Sequence, residues 1–175
     1  MAVALVGLSL AGCNDFWVGQ SEVTENVWED DASGLVWQDP SSGSTYDYDS
    51  AVFYCDGLSW AGYDDWRLAT IGDLRSLIRG CAATAPGGAC GADEFCSDGS
   101  CRREECGGCT SQNGPGTGGC YWDAGLSGSC GLGYWSSSSY AGDAAVAWVV
   151  YFSNGYVGNV DKVNPYDARC VRGGP

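Results

Sequence analysis

The chain has 175 residues, enough for one domain with a real core. It holds 28 Gly, 11 Cys, 8 Trp, 10 Tyr, one Met and no His, and 22 acids against 8 bases give a formal charge of -14. A field of that sign repels phosphate backbones and anionic headgroups, which excludes nucleic acid as a partner, and the missing His removes the commonest general base.

Residues 1–12 are apolar and uncharged, and Leu10-Ala11-Gly12 places small residues directly before Cys13. This resembles a bacterial lipoprotein signal peptide, although no Lys or Arg precedes the apolar run. It predicts cleavage before Cys13 and a lipid on that residue, with the membrane reached only through this N-terminal lipid. The run is too short to span a bilayer as a helix. Setting Cys13 aside leaves ten cysteines, an even number, as expected of a disulfide-rich exported protein. Residues 13–26 read as an acidic tether, and 27–175 as the folded domain.

Gly34 to Gln38 is a short strand bounded by Asp39-Pro40 and the turn Ser41-Ser42-Gly43-Ser44. From Tyr46 to Leu58, residues Tyr48, Ala51, Val52, Cys55 and Leu58 fall on one helical face, with Asp47 or Asp49 placed to cap it. Gly62-Tyr63-Asp64-Asp65-Trp66-Arg67-Leu68 reads as a turn and a short strand. Thr70, followed three residues later by Asp73, starts a second helix as a variant capping box. Ile71, Leu74, Leu77 and Ile78 are its buried stripe, while Arg75 and Arg79 sit late, where the helix dipole favours cations.

From Gly80 to Gly131 the character changes. Cys81, Cys90, Cys96, Cys101, Cys106, Cys109, Cys120 and Cys130 lie here, with half of the 28 glycines. The stretch lacks apolar periodicity, so disulfides are expected to hold it, in a pairing the spacing leaves open. Strands then return at 133–138, at 144–152 (the most apolar run, read as a central strand), at 156–160 and at 167–172. The turn Ser153-Asn154-Gly155 joins the second of these to the third.

Few residues suggest chemistry. Cys106-Gly-Gly-Cys109 has redox spacing, and five loop cysteines imitate a zinc cluster. Structural disulfides account for both in an exported chain without His. Asp93, Glu94 and Asp98, with Gly91 and Gly99 nearby, are the candidate structural-calcium ligands, but they match no EF-hand and a solvated acidic loop is the simpler reading. Asp64 and Asp65 are read as salt-bridge or capping groups with Arg67 as partner, because adjacent carboxylates on one turn cannot flank a glycosidic bond. Trp66 is assigned to the core, and Ser136 to Ser139 show no nucleophile pattern. No catalytic residue and no metal ligand is expected. Among the aromatics, Trp135 and Trp148 are assigned to the core, while Tyr121, Trp122 and Tyr140 are the expected exposed ligand contacts.

The order of Gly-Tyr-Asp-Asp-Trp-Arg-Leu, a capped helix, a long loop, Tyr-Trp-Ser-Ser-Ser, an apolar strand ending in Phe-Ser-Asn-Gly, and Arg-Cys-Val-Arg resembles the Lcl C-terminal-domain family of exported bacterial domains. The resemblance covers about 27–172 and is weakest over the insertion. It implies an α+β, C-type-lectin-like fold shared with formylglycine-generating enzymes: two helices flanking a small, twisted, mostly antiparallel sheet with a long disulfide-rich loop. It also implies a Cys55–Cys170 bridge, which leaves the eight loop cysteines as a closed set. Ala69 stands where the family usually has Pro, and the calcium-lectin sugar motifs are missing. The functional expectation is a lipid-anchored, non-catalytic binding or adhesion module whose partner is a glycan or an envelope protein. The alternatives are a structural envelope component and, less favoured, a thiol enzyme of the formylglycine-generating type.

Overall fold

The computed structural model describes residues 26–173 apart from residue 97. The signal peptide, Cys13 and nearly all of the tether lie outside the described residues. In chain order the elements are β1 (Asn26–Asp30), β2 (Leu35–Asp39), β3 (Thr45–Tyr46), α1 (Tyr48–Asp56), β4 (Arg67–Leu68), α2 (Ile71–Ser76), β5 (Tyr134–Ser139), β6 (Val146–Tyr151), β7 (Tyr156–Asp161), β8 (Tyr166–Asp167) and β9 (Cys170–Gly173). Among the described residues of the insertion, two short 3₁₀ turns form, Glu104–Gly107 and Thr117–Gly119.

The expected single sheet is two. One has the order β1-β2-β9-β4 and the other β3-β8-β5-β6-β7. All pairings are antiparallel except β5 with β8, which meet in parallel at Tyr134 and Asp167. The division follows from the break between β8 and β9. Residues 167–172 read as one strand, but Tyr166–Asp167 joins one sheet and Cys170–Gly173 the other.

Strand periodicity divides the core in two. Successive side chains point to opposite faces. In β6, Trp148 and Val150 enter one cluster with Leu74, Leu77, Trp37 and Phe152, while Ala147 and Val149 enter the other with Ala51, Cys55 and Trp66. β5 repeats this with Tyr134 and Trp135, and β9 with Val171 and Cys170. β6 is therefore apolar throughout because both its faces are covered.

Both helices start at side-chain caps. Asp47 Oδ1 accepts from Ser50 N at 2.8 Å, and this hydrogen bonding lowers the Asp47 pKa. Thr70 Oγ1 accepts from Asp73 N at 3.1 Å, and Asp73 Oδ2 accepts from Thr70 N at 2.8 Å, which completes the capping box. Asp73 also receives Arg67 Nη1 at 2.6 Å. The expected Arg67–Asp65 pair is thus replaced. Asp65 instead takes both Nε and Nη2 of Arg172, at 2.5 and 3.0 Å, and Arg172 stacks over Tyr63.

Five disulfides close the chain: Cys55–Cys170, Cys81–Cys109, Cys90–Cys106, Cys96–Cys101 and Cys120–Cys130. Cys55–Cys170 ties α1 to β9. The other four lie wholly within the insertion, and Cys106 and Cys109 are bonded to other partners rather than to each other.

Candidate functional site

The insertion is joined to the core by its own aromatics, which corrects the expected ligand surface. Tyr121 is 2% exposed and Trp122 is 0% exposed. Trp122 packs against Tyr134 and Phe152 with ring centroids 5.9 and 5.2 Å away. Tyr121 N donates to Phe152 O at 2.7 Å, and Tyr121 O accepts from Arg79 N at 3.1 Å, so the segment bridges the end of α2 to β6. These rings fill a space that the two sheets leave open, and an isolated Tyr-Trp pair in a glycine-rich stretch carries no periodicity to reveal it. Tyr140 is half-buried against Trp148, edge to face at 5.8 Å. The three rings do not form one exposed face.

Arg75 stands in the last turn of α2, as its spacing predicts, and it is 6% exposed. Its guanidinium donates to the carbonyls of Thr84 at 2.9 Å, Ala85 at 3.0 Å, Cys90 at 2.6 Å and Ala92. Burial lowers its pKa, and it remains a cation that satisfies four loop carbonyls at once.

The acidic residues of the loop do not converge. Asp93 Oδ1 accepts from the backbone of Phe95 and Cys96, Glu94 Oε1 accepts from Gly72 N at 2.7 Å, and Asp98 Oδ1 accepts from Ser100 N at 2.8 Å. Cys96, Asp98 and Cys101 lie together, but the two sulfurs are bonded to each other and offer no thiolate.

A groove of about 850 Å³ lies at the other end of the insertion. One wall is the β2–β3 connection, Pro40 to Thr45, which leaves β2 through a cis Asp39–Pro40 bond. The facing wall is Gly128, Ser129 and Leu132, where the insertion returns to β5. Tyr54 of α1 and Trp60 edge it, and Gln38 and Asp167 complete the lining. The lining is thus hydroxyl-rich, with two aromatic rings and one carboxylate.

Buried contacts hold the two walls together. Arg169 is fully buried and donates Nη1 to Gln38 O at 3.1 Å and to Asp39 Oδ1 at 3.2 Å, and Nη2 to Ser127 O at 2.5 Å. Its guanidinium lies 5.0 Å from the Trp122 ring centre and 5.8 Å from that of Tyr134. Asp39 Oδ1 also accepts from Ser127 N and Oγ at 2.9 and 2.8 Å. Tyr134 Oη donates to Ser129 O at 2.5 Å and hydrogen-bonds Ser41 Oγ at 3.2 Å. Gly128 has φ +112°, and a Cβ there would lie 2.9 Å from Arg169 Nη2 and 3.2 Å from Ser41 Oγ. Only glycine allows this approach.

Within the groove, Gln38 Nε2 donates to Tyr54 Oη at 2.6 Å and Ser42 Oγ donates to Asp167 Oδ1 at 2.9 Å. Burial raises the pKa of Asp167 despite the Ser42 and Ala168 donors. Burial raises the Tyr54 pKa as well. These residues carry no local signal: Ser41 to Ser44 reads only as a turn, and Tyr54 lies off the buried stripe of α1. Nothing local brings Asp167 or residues 128–132 to that turn.

The sequence model of the Lcl C-terminal domain matches residues 26–172, which takes in both sheets, both helices and the whole insertion. The chain belongs to the Lcl C-terminal domain family. No curated protein sequence matches it. Within this Lcl C-terminal domain, the Arg169-Cys170-Val171-Arg172 motif has a structural meaning at each position: wall-to-wall clamp, disulfide, core and the Asp65 ion pair. The family is one of exported bacterial domains, and five disulfides suit an oxidising compartment. Among the described residues no helix is long and apolar enough to cross a membrane.

Proposed function

We propose that this Lcl C-terminal domain is a non-catalytic binding or adhesion module of the bacterial envelope, C-type-lectin-like in fold and lipid-anchored at Cys13. Its ligand, a glycan or a surface protein, enters the groove between Ser41–Thr45 and Gly128–Leu132. One observation carries this reading: the groove presents hydroxyls, an amide and the rings of Tyr54 and Trp60, with its walls fixed by the buried Arg169–Asp39 contact. A preformed cleft with a few polar groups and aromatic edges is what a binding site requires. The described cysteines are all in disulfides, which favours binding over the thiol chemistry of a formylglycine-generating-type enzyme.

The test is a glycan array together with an envelope pull-down, run with the wild-type domain and with Trp60→Ala and Ser42→Ala. Capture of a ligand that both substitutions weaken supports the assignment. Capture indifferent to both moves the site elsewhere, and no capture in either screen favours a purely structural envelope role. Lipid attachment is tested separately, since Cys13→Ser must abolish incorporation of a labelled fatty acid.

A further inference from the structure

A second cleft adjoins the groove. It measures about 790 Å³ and is lined by Tyr46, Asp49, Ser50, Phe53, Tyr54 and Gly57. Tyr54 lines both clefts, with its hydroxyl held by Gln38 and its ring stacked on Tyr46 at 5.0 Å and 21°. Beside it Phe53 is 81% exposed on the outer side of α1. The polar cleft edged by Trp60 and the aromatic cleft formed by Tyr46 and Phe53 thus share the Tyr54 ring, which Gln38 and Tyr46 hold in place.

We infer that the two clefts form one continuous site for an extended, uncharged polysaccharide strand, with Tyr54 as the ridge between its subsites. This rests on reading the domain as a binding module and adds the class of ligand. Three observations point to it. Sugar rings present an apolar face and a hydroxyl edge, and the lining combines the rings of Tyr54 and Trp60 with the hydroxyls of Ser41, Ser42, Ser44, Thr45 and Ser129. Among the described residues, neither cleft is lined by Lys or Arg, while Asp167 and Asp49 each contribute a carboxylate. A sulfated or uronic-acid chain would meet those carboxylates, and a net charge of -14, without a compensating cation. Both clefts are open to solvent, and together they offer more surface than one short saccharide covers.

The experiment is calorimetric titration of the domain with neutral gluco-, manno- and N-acetylglucosamine oligomers, from disaccharide to octasaccharide, with heparin as the charged comparator. One neutral series is expected to gain at least about tenfold in affinity with length, because filling the second subsite becomes an intramolecular step. Heparin is expected not to bind. Phe53→Ala, an exposed position that folding does not depend on, should remove most of the gain with length. Equal affinity for short and long oligomers, a silent Phe53→Ala, or heparin binding as tightly as the neutral chain would overturn the inference. If every oligomer fails while an envelope protein is captured through the groove, the polysaccharide inference falls and the binding module stands. If nothing is captured at all, both fall.

Discussion

In the two sheets, alternate residues of β5, β6 and β9 point into two apolar clusters, and order follows from the period-two pattern. Between residues 80 and 131 no pattern exists, yet Cys90, Ala92, Cys106, Tyr121, Trp122 and Leu126 are as deeply buried as the strands. The scaffold orders itself by burying a repeated apolar face. The insertion is ordered point by point: four disulfides, the Arg75 guanidinium beneath four carbonyls, and two aromatic rings driven into the scaffold core. A loop without periodicity can thus be part of a core when a few large or multivalent groups replace many small ones.

That contrast breaks most visibly at Trp122. An appendage would tolerate its truncation. Here Trp122→Ala should cost about 3–5 kcal/mol of global stability, read from the midpoint of denaturant unfolding followed by scaffold tryptophan fluorescence. An unchanged midpoint would restore the appendage view.

Arg75→Met keeps the stem and removes the donors. Leaving buried carbonyls unpaired should cost about 3 kcal/mol. The loss should be local, with hydrogen-exchange protection falling across residues 82–92 while the amides of β6 and β7 stay protected. Equal loss in both would mean that Arg75 supports the scaffold rather than the loop.

A smaller effect is expected from Cys96→Ala with Cys101→Ala. The bridge closes a sequence separation of 5, against 115 for Cys55–Cys170. Chain-entropy reasoning gives about 2 kcal/mol for so short a loop and nearly 5 kcal/mol for so long a one. Thermal unfolding of the two double variants compares them directly, and equal losses would sink the entropic account.

The smallest effect is at Asp167, where the groove meets the scaffold. Its folded pKa is raised above 3.8, so the folded state holds the proton more tightly than the unfolded chain. Stability is therefore lost as pH rises from 3.8 through the folded value, and no loss exists below 3.8. Asn keeps an acceptor for Ser42 and Ala168. Asp167→Asn should stabilise at neutral pH by less than about 1 kcal/mol, with the gain vanishing in acid. Thermal melts across that range check the sign.

Elements whose information is local were legible in the sequence. The stripe of Ile71, Leu74 and Leu77 and the Thr70–Asp73 spacing announce α2, and the Asn154-Gly155 turn with its flanking apolar run announces the β6–β7 hairpin. The two-residue strands β3 and β8 were not legible, because a pair such as Thr45–Tyr46 is a strand only through its partner Tyr166–Asp167. The groove was hidden for the same reason. Its lining comes from around residues 38–45, 54–60, 128–132 and 167, and each piece alone looks like an ordinary turn or helix surface.

By itself the sequence determined the disulfide-rich character, the family, both helices and the strands β2, β5, β6 and β7, because composition, spacing and periodicity are properties of neighbouring residues. Only the tertiary structure decided that Tyr121 and Trp122 belong to the core, that Arg75 is a buried clamp, and that Tyr54, Trp60 and Asp167 share a groove. Those facts depend on which surfaces remain open after the sheets have packed, a property of the assembled chain that no local stretch encodes.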